Sequence, residues 1–133
     1  MMRILQPPGW ARPKGFANGI AVAGGTTVYI AGQVGFTGRG EWREKSFAGQ
    51  FRQALRNILD VLAEAGGRPE HIVRLTWYVL DKAEYLASLK DVGAAYRELM
   101  GRHYPTMAVL QVSGLVEDAA RLEIEATAVI PGD

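Results

Sequence analysis

The segment from Leu122 to Ala128 constrains the fold more than any other part of this chain, because its residues alternate in polarity. Apolar residues occupy every second position and polar residues the positions between them: Leu122, Ile124, Ala126, Ala128 and Glu123, Glu125, Thr127. Successive side chains of a strand point to opposite faces, so this period of two predicts a strand. One face of the strand is apolar, and the other carries two carboxylates, which is unusual for a core element.

Two other segments have the 3.6-residue apolar period of amphipathic helices. The first follows Ser46, a suitable N-cap residue, and should end at Gly66-Gly67. The second follows Asp81, which forms a capping-box pattern with Glu84, and should end at Gly101. The two apolar stripes are Phe47, Phe51, Ala54, Leu55, Ile58, Leu59, Leu62 and Tyr85, Leu89, Val92, Tyr96, Leu99.

The remaining strands follow from period-two segments and turn residues. Gly24-Gly25 separates 19–23 from 26–31 and predicts a β-hairpin. Residues 72–80 predict a strand with one side formed by Val73, Leu75, Trp77 and Val79. The order ββ-α-β-α-ββ predicts one α+β domain, residues 1–133, with two helices on one face of a mixed sheet.

The uncovered face of this sheet should carry large apolar side chains. It contains either Trp77 and Val79, or Tyr78 together with Met107 and Val109, depending on which face the helices cover. Exposed apolar surface of this kind is typical of a face that binds a partner.

Composition excludes several classes of function. The formal charge is +1 with no basic cluster, so neither nucleic acid nor a membrane is an expected partner. The chain has no cysteine and only two histidines, which are far apart, so we expect no metal site and no cofactor. The N-terminus has no apolar stretch of signal-peptide length, and a cytoplasmic protein is expected.

Two motifs identify a family resemblance. The sequences AGQVG at 31–35 and RLEIEATAV at 121–129 resemble the Rid family, the YjgF-type reactive intermediate deaminases, also called L-PSP endoribonucleases. The resemblance covers the chain from about Gly15 to Val129, and the order of elements agrees with it. It implies a chorismate-mutase-like fold and a homotrimer that binds small molecules in clefts between its subunits.

The resemblance also implies a set of site residues, several of which depart from the family pattern. The family's water-orienting acid corresponds to Glu123, and the backbone glycine of its SGQ motif corresponds to Gly32. The family's tyrosine, serine, asparagine, arginine and cysteine correspond to Phe16, Ala31, Gly93, Met107 and Val109.

These departures alter the expected chemistry. An arginine holds a substrate carboxylate through two charge-assisted hydrogen bonds, and a glutamate accepts a proton from water. Met107 can do neither, so the typical hydrolysis of small 2-imino acids is not expected unless another cation replaces the arginine. The candidates for that cation are Arg12, Lys14, Arg74 and Arg97.

Other interpretations of the two glutamates remain open. Glu123 could be a solvated strand residue, or it could pair with Arg121 or with a neighbouring subunit, and Glu125 fits a structural ion pair. The sequence is therefore compatible with three functions. The first is a divergent imine or enamine hydrolase with Glu123 as base, the second is a non-catalytic trimer that binds a hydrophobic metabolite or a protein, and the last is an endoribonuclease.

Overall fold

The computed structural model of the chain describes residues 2–132, which form six strands, three α-helices and one short 3₁₀ helix. The strands are β1 (Met2–Leu5), β2 (Gly19–Val22), β3 (Thr26–Gln33), β4 (Ile72–Val79), β5 (Thr106–Gln111) and β6 (Leu122–Ile130). The α-helices are α1 (Phe47–Glu64), α2 (Lys82–Ala87) and α3 (Leu89–Met100), and the 3₁₀ helix is Pro69–His71. No helix in this described part is both long and apolar enough to cross a membrane.

A four-stranded mixed sheet is the centre of the fold, with the order β3-β6-β4-β5. β6 is antiparallel to both of its neighbours, while β4 and β5 are parallel. The alternation that predicted β6 is confirmed, because Leu122, Ile124, Ala126 and Ala128 are all buried. The helices pack on that face, so the chain has the predicted α+β architecture with helices on one side of a mixed sheet.

The first helix begins and ends close to the predicted positions. The Ser46 hydroxyl accepts a hydrogen bond from the Gly49 N–H at 3.0 Å, which satisfies one of the free amides at the helix start. Phe51, Leu55, Ile58 and Leu62 of its stripe are fully buried. Each such side chain stabilises the fold by about 1.5–3 kcal/mol relative to leaving it in water.

The second predicted helix is divided at Ser88 into α2 and α3. The Ser88 hydroxyl donates to the Glu84 carbonyl at 2.8 Å, a local bond that competes with continuous helix. Asp81 caps α2 as predicted, with its carboxylate accepting from the Ala83 N–H at 2.9 Å. The break moves Leu89 out of the core, where the stripe had placed it, and leaves it 47% exposed.

The predicted hairpin around Gly24-Gly25 is wrong in its pairing. Both glycines have the positive φ of a turn, at 71° and 87°. However, β2 pairs with β1, which the sequence did not indicate, and β3 pairs with β6. A β-carbon on Gly25 would lie 2.5 Å from the Ile130 carbonyl oxygen, so the turn directs the chain against the end of β6 and away from β2.

The predicted faces of β4 and β5 also need correction. A bulge between Ile72 and Arg74 places Ile72 in the core and leaves Val73 only half-buried. The register pairs Trp77 with Val109 and Leu75 with Met107, so Met107 and Val109 lie on the helix side of the sheet. The face without helices carries Tyr78 together with β3 and β6 side chains, and it does not carry the Met107 and Val109 pair.

Candidate functional site

A groove of about 480 Å³ lies between β5, α2–α3 and the segment before β2, and we call it the Met107 cleft. Four of the residues implied by the family resemblance line it: Phe16, Gly93, Met107 and Val109. Phe16 reaches the cleft because the neighbouring Ala17 N–H donates to the Pro105 carbonyl at 3.0 Å, which holds that segment against the start of β5.

Aromatic rings form much of the cleft wall. Trp77 lines the cleft from the sheet and stacks on Phe51 with ring centroids 4.7 Å apart. Tyr96 and Tyr104 stack at 5.2 Å, and the Tyr96 hydroxyl donates to the His103 carbonyl at 2.6 Å. Burial raises the pKa of Tyr96 and of Tyr85, so both phenols stay neutral at physiological pH. The cleft therefore suits a ligand with an apolar or aromatic body.

Two of the four candidate cations line the Met107 cleft, namely Lys14 and Arg97. Its lining contains no carboxylate. The Arg97 Nη1 atom lies 3.3 Å from the point where a β-carbon on Gly93 would be, so a larger residue at 93 would crowd this guanidinium. Arg12 lines an adjacent hollow, and Arg74 lies on the uncovered face of the sheet.

The other implied site residues, Ala31, Gly32 and Glu123, form a second group on the uncovered face. The pairing of β3 with β6 shifts between Ile30 and Gln33, so Ala31 and Gly32 lie in a bulge. A β-carbon on Gly32 would lie 2.3 Å from Glu123 Oε2, which means that the carboxylate rests directly against this glycine. The bulge and the absence of a side chain together give the carboxylate its place beside an exposed backbone.

Glu123 has no hydrogen bond or ion pair with any side chain in residues 2–132, and it is half-buried. The predicted alternative of a pair with Arg121 is wrong, because Arg121 Nη1 binds Glu84 at 2.5 Å and its Nε binds the Lys45 carbonyl. Glu125 instead accepts a hydrogen bond from the Tyr78 hydroxyl at 2.6 Å. That bond raises the Tyr78 pKa, and it gives Glu125 a structural role within the sheet face.

Two buried polar residues that sequence analysis missed support the group formed by Ala31, Gly32 and Glu123. Gln50 on α1 is 2% exposed and binds the Ala119 carbonyl and the Arg121 N–H, just before Glu123. Asn57, two turns later on the same face of α1, donates to the Val34 and Phe36 carbonyls after the bulge. Both residues lie at positions that fall on the apolar face of α1. This placement could have identified them from the sequence, because a polar residue on the buried side of a helix needs hydrogen-bond partners inside the protein.

The histidines take structural positions. His103 Nε2 lies 2.6 Å from the Ile72 carbonyl, and His71 Nδ1 accepts from the Arg68 N–H at 2.9 Å. Within the described residues no three His, Asp or Glu side chains gather at metal-binding spacing.

The two groups of site residues lie on opposite faces of one sheet. Met107 and Val109 are on the helix side, and Glu123, paired in register with Tyr78, is on the uncovered side. Within one chain the carboxylate therefore cannot reach the Met107 cleft. A site that uses both groups requires a second copy of the chain.

The comparisons with known proteins identify the family to which the chain is similar. The family profile described as Endoribonuclease L-PSP matches residues 12–130. The chain is 30% identical over 104 residues to a human 2-iminobutanoate/2-iminopropanoate deaminase, covering 77% of the chain and 72% of that protein. It is 32% identical over 109 residues to a RutC family protein of Pyrococcus horikoshii, covering 81% of the chain and 82% of that protein.

Solved structures are similar over nearly the whole chain. A Rid family protein of Yersinia pestis matches with a TM-score of 0.86 and 29% identity, covering 97% of this chain and 98% of that one. The YjgF gene product of Escherichia coli matches with a TM-score of 0.67 and 29% identity, covering 81% and 84% of the two chains.

Proposed function

The chain belongs to the Endoribonuclease L-PSP family, whose members include Rid and YjgF-type reactive intermediate deaminases, and on that premise we propose that it hydrolyses an imine or enamine. The catalytic base is Glu123. The observation that carries this proposal is the Glu123 carboxylate itself, which rests against Gly32 without a cationic or hydrogen-bonding partner among residues 2–132.

The active unit that we propose is a homotrimer. Glu123, Ala31 and Gly32 of one subunit would face the Met107 cleft of the next subunit, so that each interface contains one complete site. The uncovered face supports this assembly, because it exposes Tyr29 by 81% and Leu110 by 45%. Such apolar surface is stabilised when another chain covers it.

The proposed reaction needs only a positioned water and a proton acceptor. Glu123 accepts a proton as the water oxygen attacks the imine carbon, which forms a C–O bond and moves the C=N electron pair to nitrogen. Return of that proton to nitrogen gives a carbinolamine. Its hydroxyl proton then passes through Glu123 to the amine nitrogen, the C–N bond breaks as the oxygen electron pair forms the C=O bond, and ammonia leaves a carbonyl product. A positioned general base of this kind contributes about 10²–10⁴ in rate.

The substrate we propose is not a small 2-imino acid. The human relative is named for 2-iminobutanoate and 2-iminopropanoate. Here Met107 and Phe16 line the cleft, and neither can bind a carboxylate. An imine with a larger apolar body fits this lining better.

A second candidate function is binding without catalysis. The apolar residues Phe16, Met107 and Val109 in the cleft favour it, because they would hold a hydrophobic metabolite without any reaction. An endoribonuclease is the least supported candidate, since the formal charge of +1 offers little attraction for RNA phosphates.

The proposal is tested with imines made in the reaction vessel by flavin amine and amino-acid oxidases, from alanine, benzylamine and 2-phenylethylamine. Semicarbazide traps each imine, so a hydrolase lowers the yield of semicarbazone. We expect acceleration with large apolar imines, none with 2-iminopropionate, and loss of the effect in Glu123→Gln. A binder without catalysis would leave every yield at the blank value.

Light scattering tests the assembly on the same samples. The expected mass is about three times that of the chain at micromolar concentration. A folded monomer would contradict both the homotrimer and the intersubunit site.

A further inference from the structure

The Met107 cleft contains polar groups that the proposed chemistry of Glu123 does not use. Lys14 and Arg97 line it, and neither forms an ion pair with the described part of the chain. The Tyr85 hydroxyl also belongs to the lining and has no hydrogen-bond partner there. All of these groups can donate hydrogen bonds, and no lining side chain is an acid.

A further donor lies at the sheet side of the cleft. Trp77 is 4% exposed. Among the buried side-chain nitrogen and oxygen atoms of residues 2–132, its Nε1 is the one without a hydrogen-bond partner. An unpaired buried donor destabilises a folded protein. Trp77 is among the lining residues, so its indole N–H is a nearby probe of whatever the cleft binds.

We propose that Arg97 and Lys14 form the anion-binding site of the cleft, so that its ligand is an anion with an apolar body. This inference rests on the proposed function and specifies its substrate class. The anionic group would bind the Arg97 guanidinium, whose planar fork suits a carboxylate, with Lys14 as a second positive charge. The apolar body would lie against Met107, Val109 and Trp77.

The position of this site on α3 changes which imines can react. The absent arginine would have been on β5 at position 107, whereas Arg97 is on the opposite wall of the cleft, one helical turn after Gly93. In a 2-imino acid the carboxylate is bonded directly to the imine carbon. A carboxylate bound by Arg97 would therefore hold the reacting carbon close to α3. A ligand whose anionic group is separated from the imine by its apolar body avoids this displacement.

The test uses stable probes, so it does not depend on turnover. We would measure the Kd of 3-phenylpropanoate and of its neutral amide, 3-phenylpropanamide, by calorimetry on the full-length assembled protein. The acid should bind about tenfold more tightly than the amide, because charge-assisted hydrogen bonds are stronger than neutral ones. The indole N–H resonance of Trp77, assigned with Trp77→Phe, should shift on binding.

Matched variants locate the anion. Arg97→Gln should weaken acid binding about tenfold and amide binding very little, while Arg97→Lys should keep part of the preference. Arg56→Gln is the control, because Arg56 is exposed on α1 and lines none of the cleft. The Arg97 and Arg56 side chains are both exposed, so the three variants should fold like the parent.

Equal affinity for acid and amide, no binding of either probe, or full acid affinity in Arg97→Gln would each overturn the proposed anion site. These results are distinct from failure of the proposed function. If the protein hydrolyses no imine but binds the acid more tightly than the amide, the anion site stands and the hydrolase proposal fails. If it hydrolyses an imine but binds acid and amide equally, the hydrolase proposal stands and the anion site fails.

Discussion

Replacement of Gln50 by methionine should destabilise the protein strongly, although the two side chains have similar length and shape. The Gln50 Oε1 atom accepts from the Arg121 N–H at 2.8 Å, and its Nε2 donates to the Ala119 and Glu44 carbonyls at 3.0 and 3.3 Å. Methionine makes none of these bonds. The residue is 2% exposed, so water has little access to replace them.

The expected loss follows from the groups left unpaired. The Arg121 N–H and the Ala119 carbonyl would each lose their bond to Gln50, and a stranded group of this kind costs about 1–3 kcal/mol. We therefore expect a decrease of about 3 kcal/mol in the free energy of unfolding. With a urea m-value of about 2 kcal/mol/M, the unfolding midpoint would fall by about 1.5 M.

Urea unfolding followed by far-ultraviolet circular dichroism measures this change, with the protein concentration held equal because an oligomer unfolds in a concentration-dependent way. Gln53→Met is the matched control on the same helix. It removes one half-buried bond to Asn57 Oδ1 and should decrease stability by about 1 kcal/mol or less. If the two variants lost equal stability, the buried bonds of Gln50 would not hold the segment before β6 as described.

Three further predictions concern the site. Gly32→Ala places a methyl carbon 2.3 Å from Glu123 Oε2, so the carboxylate must move by about 1 Å, and turnover should fall about 100-fold while the melting temperature changes little. Met107→Arg should produce measurable hydrolysis of 2-iminopropionate in the semicarbazide assay, and an unchanged blank rate would show that position 107 does not control carboxylate binding. The bond to Glu125 raises the Tyr78 pKa above its unfolded value of 10.0, so its stabilisation is present below pH 10 and lost as pH rises through the folded pKa. Tyr78→Phe should remove that alkaline loss from a series of urea midpoints, and an identical pH dependence in both proteins would contradict it.

Much of the fold could be predicted from local sequence, because the relevant signals are short. The alternation in β6, the Ser46 cap and the apolar stripe of α1 are all found in the structure. The predictions that were wrong concern contacts between residues far apart in the sequence. β1 and β2 pair as a separate two-stranded sheet that joins Met2–Leu5 to Gly19–Val22, and a glycine turn at Gly24-Gly25 cannot specify that pairing.

The candidate site shows the same limit. The resemblance identified Phe16, Gly93, Met107 and Val109, and the structure brings these four together. Sequence could not choose among the candidate cations, since Arg97 reaches the cleft through the geometry of α3. The bulge between Ile72 and Arg74 likewise changes which side chain faces the core, and no residue type in the sequence indicates a bulge there.

Complementation between two inactive variants shows whether Glu123 of one subunit acts in the Met107 cleft of another. Glu123→Gln removes the base, and Gly93→Trp fills the cleft. Each variant alone should be inactive on the imine that the parent hydrolyses best. When the two are refolded together in equal amounts, about one quarter of the interfaces should combine an intact base with an intact cleft, so about one quarter of the parent activity should return. A mixture as inactive as its two components would contradict the intersubunit site.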